Sequence, residues 1–410
     1  MANTTITPDW VTFETAKYFV NSLRGVAQFN REYSDEYVQA GAKVGDTVRV
    51  RLPQQWEASE GEALVVQNIL DRTVNVILNR RRHVGFGWGT GQQTTDLDDI
   101  KQRYVMPAAE TLASVYDRVS MGDVYKSVYN SVGTLGTTPS ALLTYSQARV
   151  KILDLSGPDT DLVAVLEPLA QATIADAIKT YQHPQAQITK AFEKGVFARD
   201  AAGIGRWYTD QNIPRFTSGS ATSASTPVVN GAGQTGSSLV TDGWGSGTFS
   251  GKTGDIITVA GVYSVNPLSK ESTGRLQQFV LTADVSDTTG DATLSISPSI
   301  ITSGALQNVD AAPADNATVT YWAMAAGGTQ AATVSPQNLV FHPEAFASVM
   351  ADLVMPNGGA TGTRVNSKQI NIALRYVEQY QVTSDQNLNR LDILFGAAAI
   401  QERLACRVVG

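Results

Sequence analysis

The chain has 410 residues, 42% hydrophobic and 17% charged, with a formal net charge of −7. That length suffices for two or three buried cores, and an acidic balance without a basic stripe excludes tight sequence-independent binding along nucleic acid. The single Cys406 excludes a disulfide framework, MANTTITPDW at the start shows no secretory leader, and no run of about 18 apolar residues marks a membrane span.

Thr7 followed by Pro8 predicts a helix start, with Trp10, Phe13, Val20 and Leu23 on its apolar side. A second helical piece is expected over Gln28–Gln39, where Phe29, Tyr33 and Tyr37 fall four apart. These pieces are too short for a core of their own and are expected to form an arm. Thr47–Leu52 alternates polar and apolar and stops at Pro53; Thr73–Leu78 alternates again. Arg80, Arg81 and Arg82 follow. Glycines at 85, 87, 89 and 91 then share one face of an extended segment, with Phe86 and Trp88 on the other. An extended β arm over 46–94 is expected. Since a two-stranded arm is marginal alone, a neighbouring copy is its expected support.

The strongest helical signal runs from Thr95 to Gly122. Apolar residues recur at Ile100, Tyr104, Ala108, Leu112, Val115 and Val119. Thr95 with Asp98 resembles a capping box, Asp96, Asp98 and Asp99 crowd the first turn, and Gly122 is the expected stop. Roughly 25 residues at 1.5 Å rise make a rod of about 35–40 Å. Pro107 lies inside it and predicts a kink.

Another helix is expected over Ser140–Leu155, ended by Gly157-Pro158. Two similar units follow, LVAVLEPLAQATIADAI (Leu162–Ile178) and LVFHPEAFASVMADL (Leu339–Leu353). Each reads as an apolar strand, a proline near a helix start and an amphipathic helix. Two such units suit one α/β layer interrupted between them. The interruption is 218–330. It starts with Gly/Ser-rich linker material over Ser218–Ser238 and continues with short β runs at Ile256–Ala260, Gln277–Ala283, Ala292–Ile296 and Thr318–Met324, predicting a small antiparallel barrel or sandwich. Gln369–Tyr376, Leu391–Phe395 and Ala405–Val409 are expected to complete a sheet against which the long helix packs.

The chemistry-bearing residues make no catalytic constellation. His83, His183 and His342 lack ligand spacing, and Cys406 lies in an apparent strand as an inert thiol. Gly251-Lys252-Thr253 matches the end of a phosphate-binding loop, but Ser246 stands at the earlier glycine position and no apolar helix follows. The alternating glycines open no helix, as a dinucleotide fingerprint requires. No catalytic residue, cofactor or metal site is assigned, and no enzyme is expected. Asp96, Asp98 and Asp99 suit the helix dipole, a cation, or an ion pair with another subunit. Arg80, Arg81 and Arg82 suit acidic groups of another subunit, phosphate, or plain solvation.

Several segments carry a resemblance. NREYSDEYVQAGAKVGDTVRVRLP (Asn30–Pro53) resembles the N-terminal arm of tailed-phage major capsid proteins. LDDIKQRYVMPAAETLA (Leu97–Ala113) resembles the start of that family's spine helix, proline included. TGDIITVAGVYSVNPLSKESTGRLQQFVLTADV (Thr253–Val285) is similar to the insertion domain of short-tailed-phage coat proteins of the P twenty-two type, and LDILFGAAAIQERLACRVV to the family's C-terminal strands. The resemblance implies an α+β chain of the Hong Kong 97 capsid fold. Its parts would be an N-arm (1–45), an extended β loop (46–95), a peripheral domain with the spine helix (96–150 and 358–410), an α/β axial domain (151–217 and 331–357) and an inserted antiparallel β-barrel (218–330). It further implies pentamers and hexamers closing an icosahedral shell around double-stranded DNA, a procapsid that expands, a separate scaffolding protein without N-terminal processing, a portal protein at one vertex, and room for a decoration protein. Assembly is expected in the host bacterial cytoplasm, with no membrane partner. Alternatives are the shell of a cellular encapsulating compartment and, in another class, a β-rich adhesion or carbohydrate-binding protein.

Overall fold

The computed structural model describes residues 8–34, 45–89, 101–178, 202–221, 226–245, 249–287, 289–322, 330–356, 361–367 and 372–410. Contacts divide them into two units. One holds residues up to Val50 with 73–123 and 346–400; the other holds 51–72, 124–345 and 401–410.

In the first unit, helix α1 (Pro8–Ser22) starts at the expected proline. Its buried stripe is Val11, Thr15 and Phe19, while Phe13 faces solvent. The helix expected over Gln28–Gln39 is absent from its described part, which holds only a 3-10 turn at Glu32–Ser34 after another at Val26–Gln28. Between them the Asn30 N–H donates to the Phe346 carbonyl, and the Asn30 carbonyl accepts from Ser348, at 3.0 Å each. Pairing with a strand takes the groups that a helix would use.

The long helix begins as a π-helical turn, Lys101–Val105, and continues as α2 (Met106–Val124). Thr95, Asp96, Asp98 and Asp99 lie outside the described residues. Pro107 is the second residue of the α segment, where its missing N–H breaks no bond within that segment. The ladder changes from π to α at that place. Gly122 does not stop the helix, which runs on to Val124 and a 3-10 turn at Tyr125–Ser127. The buried stripe is Ala109, Leu112, Ala113, Tyr116 and Ser120, with Val115 and Val119 only half-buried. Two alanines allow close approach to a sheet. Tyr116 then fills the gap, its ring 4.7 Å from Phe395 and 5.8 Å from Phe19, its hydroxyl sharing a 2.5 Å hydrogen bond with Ser348. The buried Asp117 carboxylate accepts the backbone N–H groups of Arg24 and Val26 at 2.9 Å each, tying the segment after α1 to the long helix.

That sheet has five antiparallel strands. Gln386–Ala399 lies at its middle, paired with Arg80–Gly89 along one edge and with Ile372–Gln381 and Phe346–Ala351 along the other. Thr361–Ser367 pairs outside Ile372–Gln381. The second strand–helix unit is therefore corrected: Phe346–Ala351 is a strand. Phe346, Ala347, Ser348, Val349 and Met350 are all buried, and consecutive burial suits a strand covered on both faces, not a helix with one wet side. The extended arm also rests on its own chain. Arg80–Gly89 joins this sheet, and the ribbon of Thr47–Arg51 with Thr73–Ile77 approaches Gly396 so closely that a Cβ there would lie 2.2 Å from the Ile77 carbonyl.

In the second unit a sheet runs in the order Ser131–Gly133, Ala405–Val409, Val334–Phe341, Val163–Leu166, Arg206–Thr209, with Arg215–Thr217 pairing to the start of Val334–Phe341. Ala405–Val409 thus belongs here and not to the sheet under the long helix. Helix α3 (Leu142–Asp154) covers one face, its Tyr145, Ala148 and Ile152 packing with Ala164, Leu166, Val340, Cys406 and Val408. This core groups the whole of α3 with this sheet, whereas the boundary expected at 150 falls inside the helix. The first strand–helix unit is as expected, with α4 (Pro168–Ile178) starting at its proline. Burial pushes the Cys406 thiol up to about 12, leaving it protonated and inert.

Strands Arg215–Thr217 and Val334–Phe341 form a stalk, and the insert stands on it. Its strands run in the order Val319–Tyr321, Ile256–Val265, Ser272–Leu281, Ala292–Ile300, Gly236–Asp242, Val228–Val229. The outer strands all but close the barrel, with Val229 N–H donating to Ala317 and Val319 N–H to Pro227 at 2.9 and 2.8 Å. Part of the Ser218–Ser238 stretch, read as linker, is therefore barrel wall, and its Val229 is fully buried. The core centres on Trp244, stacked 3.7 Å on Phe249, with Leu239, Ile257, Phe279 and Tyr321 around it. At the root, the buried Asp255 carboxylate accepts from the backbone of Gly219 (3.1 Å) and Lys252 (2.6 Å), from Trp322 Nε1 (2.8 Å) and from the Tyr321 hydroxyl.

Candidate assembly surface

Between the two strands of the arm ribbon, residues 52–72 form a long loop closed by few bonds. Leu52 N–H donates to Arg72 at 2.9 Å and Gln54 Nε2 to the Leu70 carbonyl at 2.5 Å. Gln67 pairs with Glu57 through both its amide oxygen (3.1 Å) and its amide nitrogen. Two glutamines thus stand in for a backbone ladder. Nothing apolar is buried in return: Leu64 is 89% exposed, Val66 81% and Ile69 71%, and Trp56, Val65 and Leu70 are more than half exposed. Glu57, Glu60 and Glu62 precede this run, also exposed. Isolated surface apolar residues are ordinary, but a contiguous set on one loop marks a contact surface.

Of the residues singled out in the sequence, Arg80 is bound within the chain. Its Nε and one terminal nitrogen reach Asp123 at 3.1 and 2.8 Å, and this hydrogen-bonded carboxylate raises the guanidinium pKa. Arg81 lies 3.7 Å from Asp392, a buried carboxylate that also takes Arg375 at 2.5 Å and Arg390 at 2.8 Å. Burial pushes Asp392 up, but the hydrogen bonds from Arg375 and Arg390 outweigh it and hold the group below the ordinary carboxylate range. Arg82 is exposed, its guanidinium donating to the Arg81 carbonyl at 3.3 Å. The structure therefore does not gather the three arginines into one cluster. Neighbouring positions alternate across the strand, so Arg81 and Arg82 leave on opposite faces. The loop residues Trp56 to Leu70 went unnoticed in the sequence, although the run LVVQNIL, apolar yet outside any strand or helix pattern, was the available signal.

No group of three or more His, Cys, Asp or Glu arranged to hold a metal ion occurs among the described residues. Comparison with known proteins decides what the exposed loop belongs to. The sequence profile of the family described as "P22 coat protein - gene protein 5" matches residues 34–406. The chain belongs to the P22 coat protein family. It is a structural coat protein of the phage capsid, and its α+β architecture is the Hong Kong 97 capsid fold. Among solved structures, it is similar to the capsid of Ralstonia phage GP4 (9% identity, 94% of this chain and 91% of that one, TM-score 0.43). It is also similar to a chain of Mycobacterium phage Che8 (11%, 93% and 89%, TM-score 0.43). The CUS-3 coat protein I-domain is 26% identical over 24% of this chain and 95% of its own, with a TM-score of 0.19. No curated protein sequence matches the chain.

Proposed function

We propose that this coat protein assembles as pentamers and hexamers into an icosahedral shell around phage double-stranded DNA. It would form first as a procapsid on a separate scaffolding protein, with a portal protein at one vertex, and expand on maturation. The supporting observation is the 52–72 loop in a chain of a coat protein family. Its apolar residues are left to be covered by another copy, each gaining about 1.5–3 kcal/mol when fully buried. Much of that is spent on lost rotational freedom and on ordering the loop, so a single contact stays reversible and the closed shell is stabilised by the number of contacts. Among the three arginines, we assign intersubunit pairing to Arg82, since Arg80 and Arg81 already have carboxylates in their own chain. Asp96, Asp98 and Asp99 are the acidic partners proposed for it. The change from π to α ladder at Pro107 is proposed as the place where copies bend differently in pentamers, hexamers and the two maturation states. Electron microscopy of the overexpressed chain, with and without a co-expressed scaffolding protein, tests the reading. Closed shells of uniform size with the scaffold are expected. Monomers under both conditions would overturn it, and Arg82→Glu with unchanged assembly yield would remove Arg82 from the interface.

A further inference from the structure

A cleft of about 550 Å³ opens in the second unit where the chain passes into the insert. One wall is the turn after the long helix (Tyr125, Lys126), another the stalk strand (Arg215, Phe216), and the third the insert corner Lys252, Thr253 and Asp284. Three cations and one lining carboxylate face this space, with the hydroxyls of Ser218, Ser220, Ser250 and Thr253 nearby. Arg215 is paired to Glu167 at 2.8 Å and Lys252 to Asp284 at 3.0 Å, but Lys126 has no carboxylate partner among the described residues.

Two observations show that this corner favours an oxyanion. The first is the Gly251-Lys252-Thr253 run, which does hold one. The Asp284 carboxylate accepts from Thr253 N–H (2.8 Å), Thr253 Oγ1 (2.9 Å) and Lys252 Nζ (3.0 Å), and the bonds from Thr253 and Lys252 draw its pKa down to about 2 although it is exposed. The second is Arg407. Its guanidinium is completely buried, and Nε and both terminal nitrogens lack an acceptor among the described residues. It lies 5.5 Å over the Trp322 ring, and Trp322, Phe216 and Tyr125 form an aromatic chain with centroids 6.0 Å apart at each step. Arg407 and Tyr125 are close enough to shift each other's ionisation, and the Asp255 carboxylate acts on both, so the guanidinium behind the phenol has a charge partner but, among the described residues, no hydrogen-bond acceptor. Charge in a low-dielectric interior acts across such a distance more strongly than in water.

We propose that this cleft binds a phosphate-class oxyanion, with Lys126 as its principal cation, Arg215 and Lys252 at the rim, and the serine hydroxyls as neutral donors. A tetrahedral dianion uses more converging donors than a carboxylate, which is why phosphate is preferred over an acidic side chain. The inference does not rest on shell formation and is tested on unassembled full-length subunits. Titration with inorganic phosphate at constant ionic strength, followed by calorimetry and ³¹P line width, is expected to show saturable binding. Lys126→Ala should weaken it at least tenfold and Lys126→Arg should retain it. Lys126 is an exposed turn residue, so both variants are expected to melt with the parent. Acetate in a parallel titration identifies the anion class. Binding of acetate as tight as phosphate would overturn the phosphate assignment. Absence of saturation, or equal binding by Lys126→Ala, would overturn the site.

Discussion

The insert barrel and the 52–72 loop are opposite solutions to the same problem. The barrel encloses a core of its own around Trp244, closes its sheet nearly on itself, and satisfies the fully buried Asp255 carboxylate from four donors. The loop leaves six large apolar side chains in water and replaces a ladder by two glutamines. A region that folds to completion within one chain is built to be stable. The role proposed for the loop is the reverse, to associate, with its energy realised only in an assembly.

Substitutions separate these two roles, each acting on one of them. Leu64→Asp with Val66→Asp places charge on surface positions of the free subunit, so its melting temperature is expected to stay within about 1 °C, in line with a change under ~0.5 kcal/mol. The protein concentration needed for shell formation, read by light scattering, is expected to rise at least tenfold. An unchanged threshold would break the contrast. Trp244→Ala acts in reverse. Removing the ring that stacks on Phe249 and donates to Thr241 at 2.7 Å is expected to cost about 3–5 kcal/mol. Calorimetry should show the insert melting early while the 52–72 loop still supports association of folded subunits.

A smaller effect is expected at Glu402, whose carboxylate accepts from Ser297 of the barrel at 3.3 Å and is pushed by burial up to about 7. A folded-state value above the unfolded one means that its contribution is complete below about pH 4 and is lost as pH rises to about 7, with no further change above. Stability should fall by about 2 kcal/mol across that window, less than the full linkage value because the side chain is partly exposed. Glu402→Gln should flatten the profile measured by urea denaturation. Smallest is Asp117→Asn, which keeps one acceptor for two backbone donors and is expected to cost ~1–2 kcal/mol. Hydrogen exchange at Arg24 and Val26 should quicken while barrel amides keep their protection.

The same contrast explains what could be read in the sequence. Where local and tertiary preferences agree, the element was legible. Pro168 after an apolar strand starts α4 as expected, and the insert strands Ile256–Val265 and Ala292–Ile300 fall on their alternating runs. Where a distant partner decides, it was not. FASVMA has helix-like spacing, but its pairing with Gln386–Ala399, nearly fifty residues later, holds it extended. The stripe on the long helix holds Ala108 and Leu112 as expected but then moves from Val115 and Val119 to Tyr116 and Ser120, while alanines at 109 and 113 carry little hydrophobic signal yet permit close contact. The Ser218–Ser238 stretch looked like a linker since a barrel wall there needs only Val229 inside. The loop gave no periodic signal at all, because its apolar side chains are not buried among the described residues.

Asp255 has a consequence for how such coat proteins change over time. It gathers Gly219, where the chain leaves the stalk, and Tyr321 and Trp322, near where it returns, and Gly219 is fixed there because a Cβ would lie 2.0 Å from the Ser250 carbonyl. With both ends of more than a hundred residues pinned at one carboxylate, lengthening or shortening the strands beyond that point shifts closure entropy by only a fraction of a kcal/mol per doubling and leaves the sheet below untouched. The insert is thus a socketed cassette. Its outer loops can change length without disturbing the closure at Asp255.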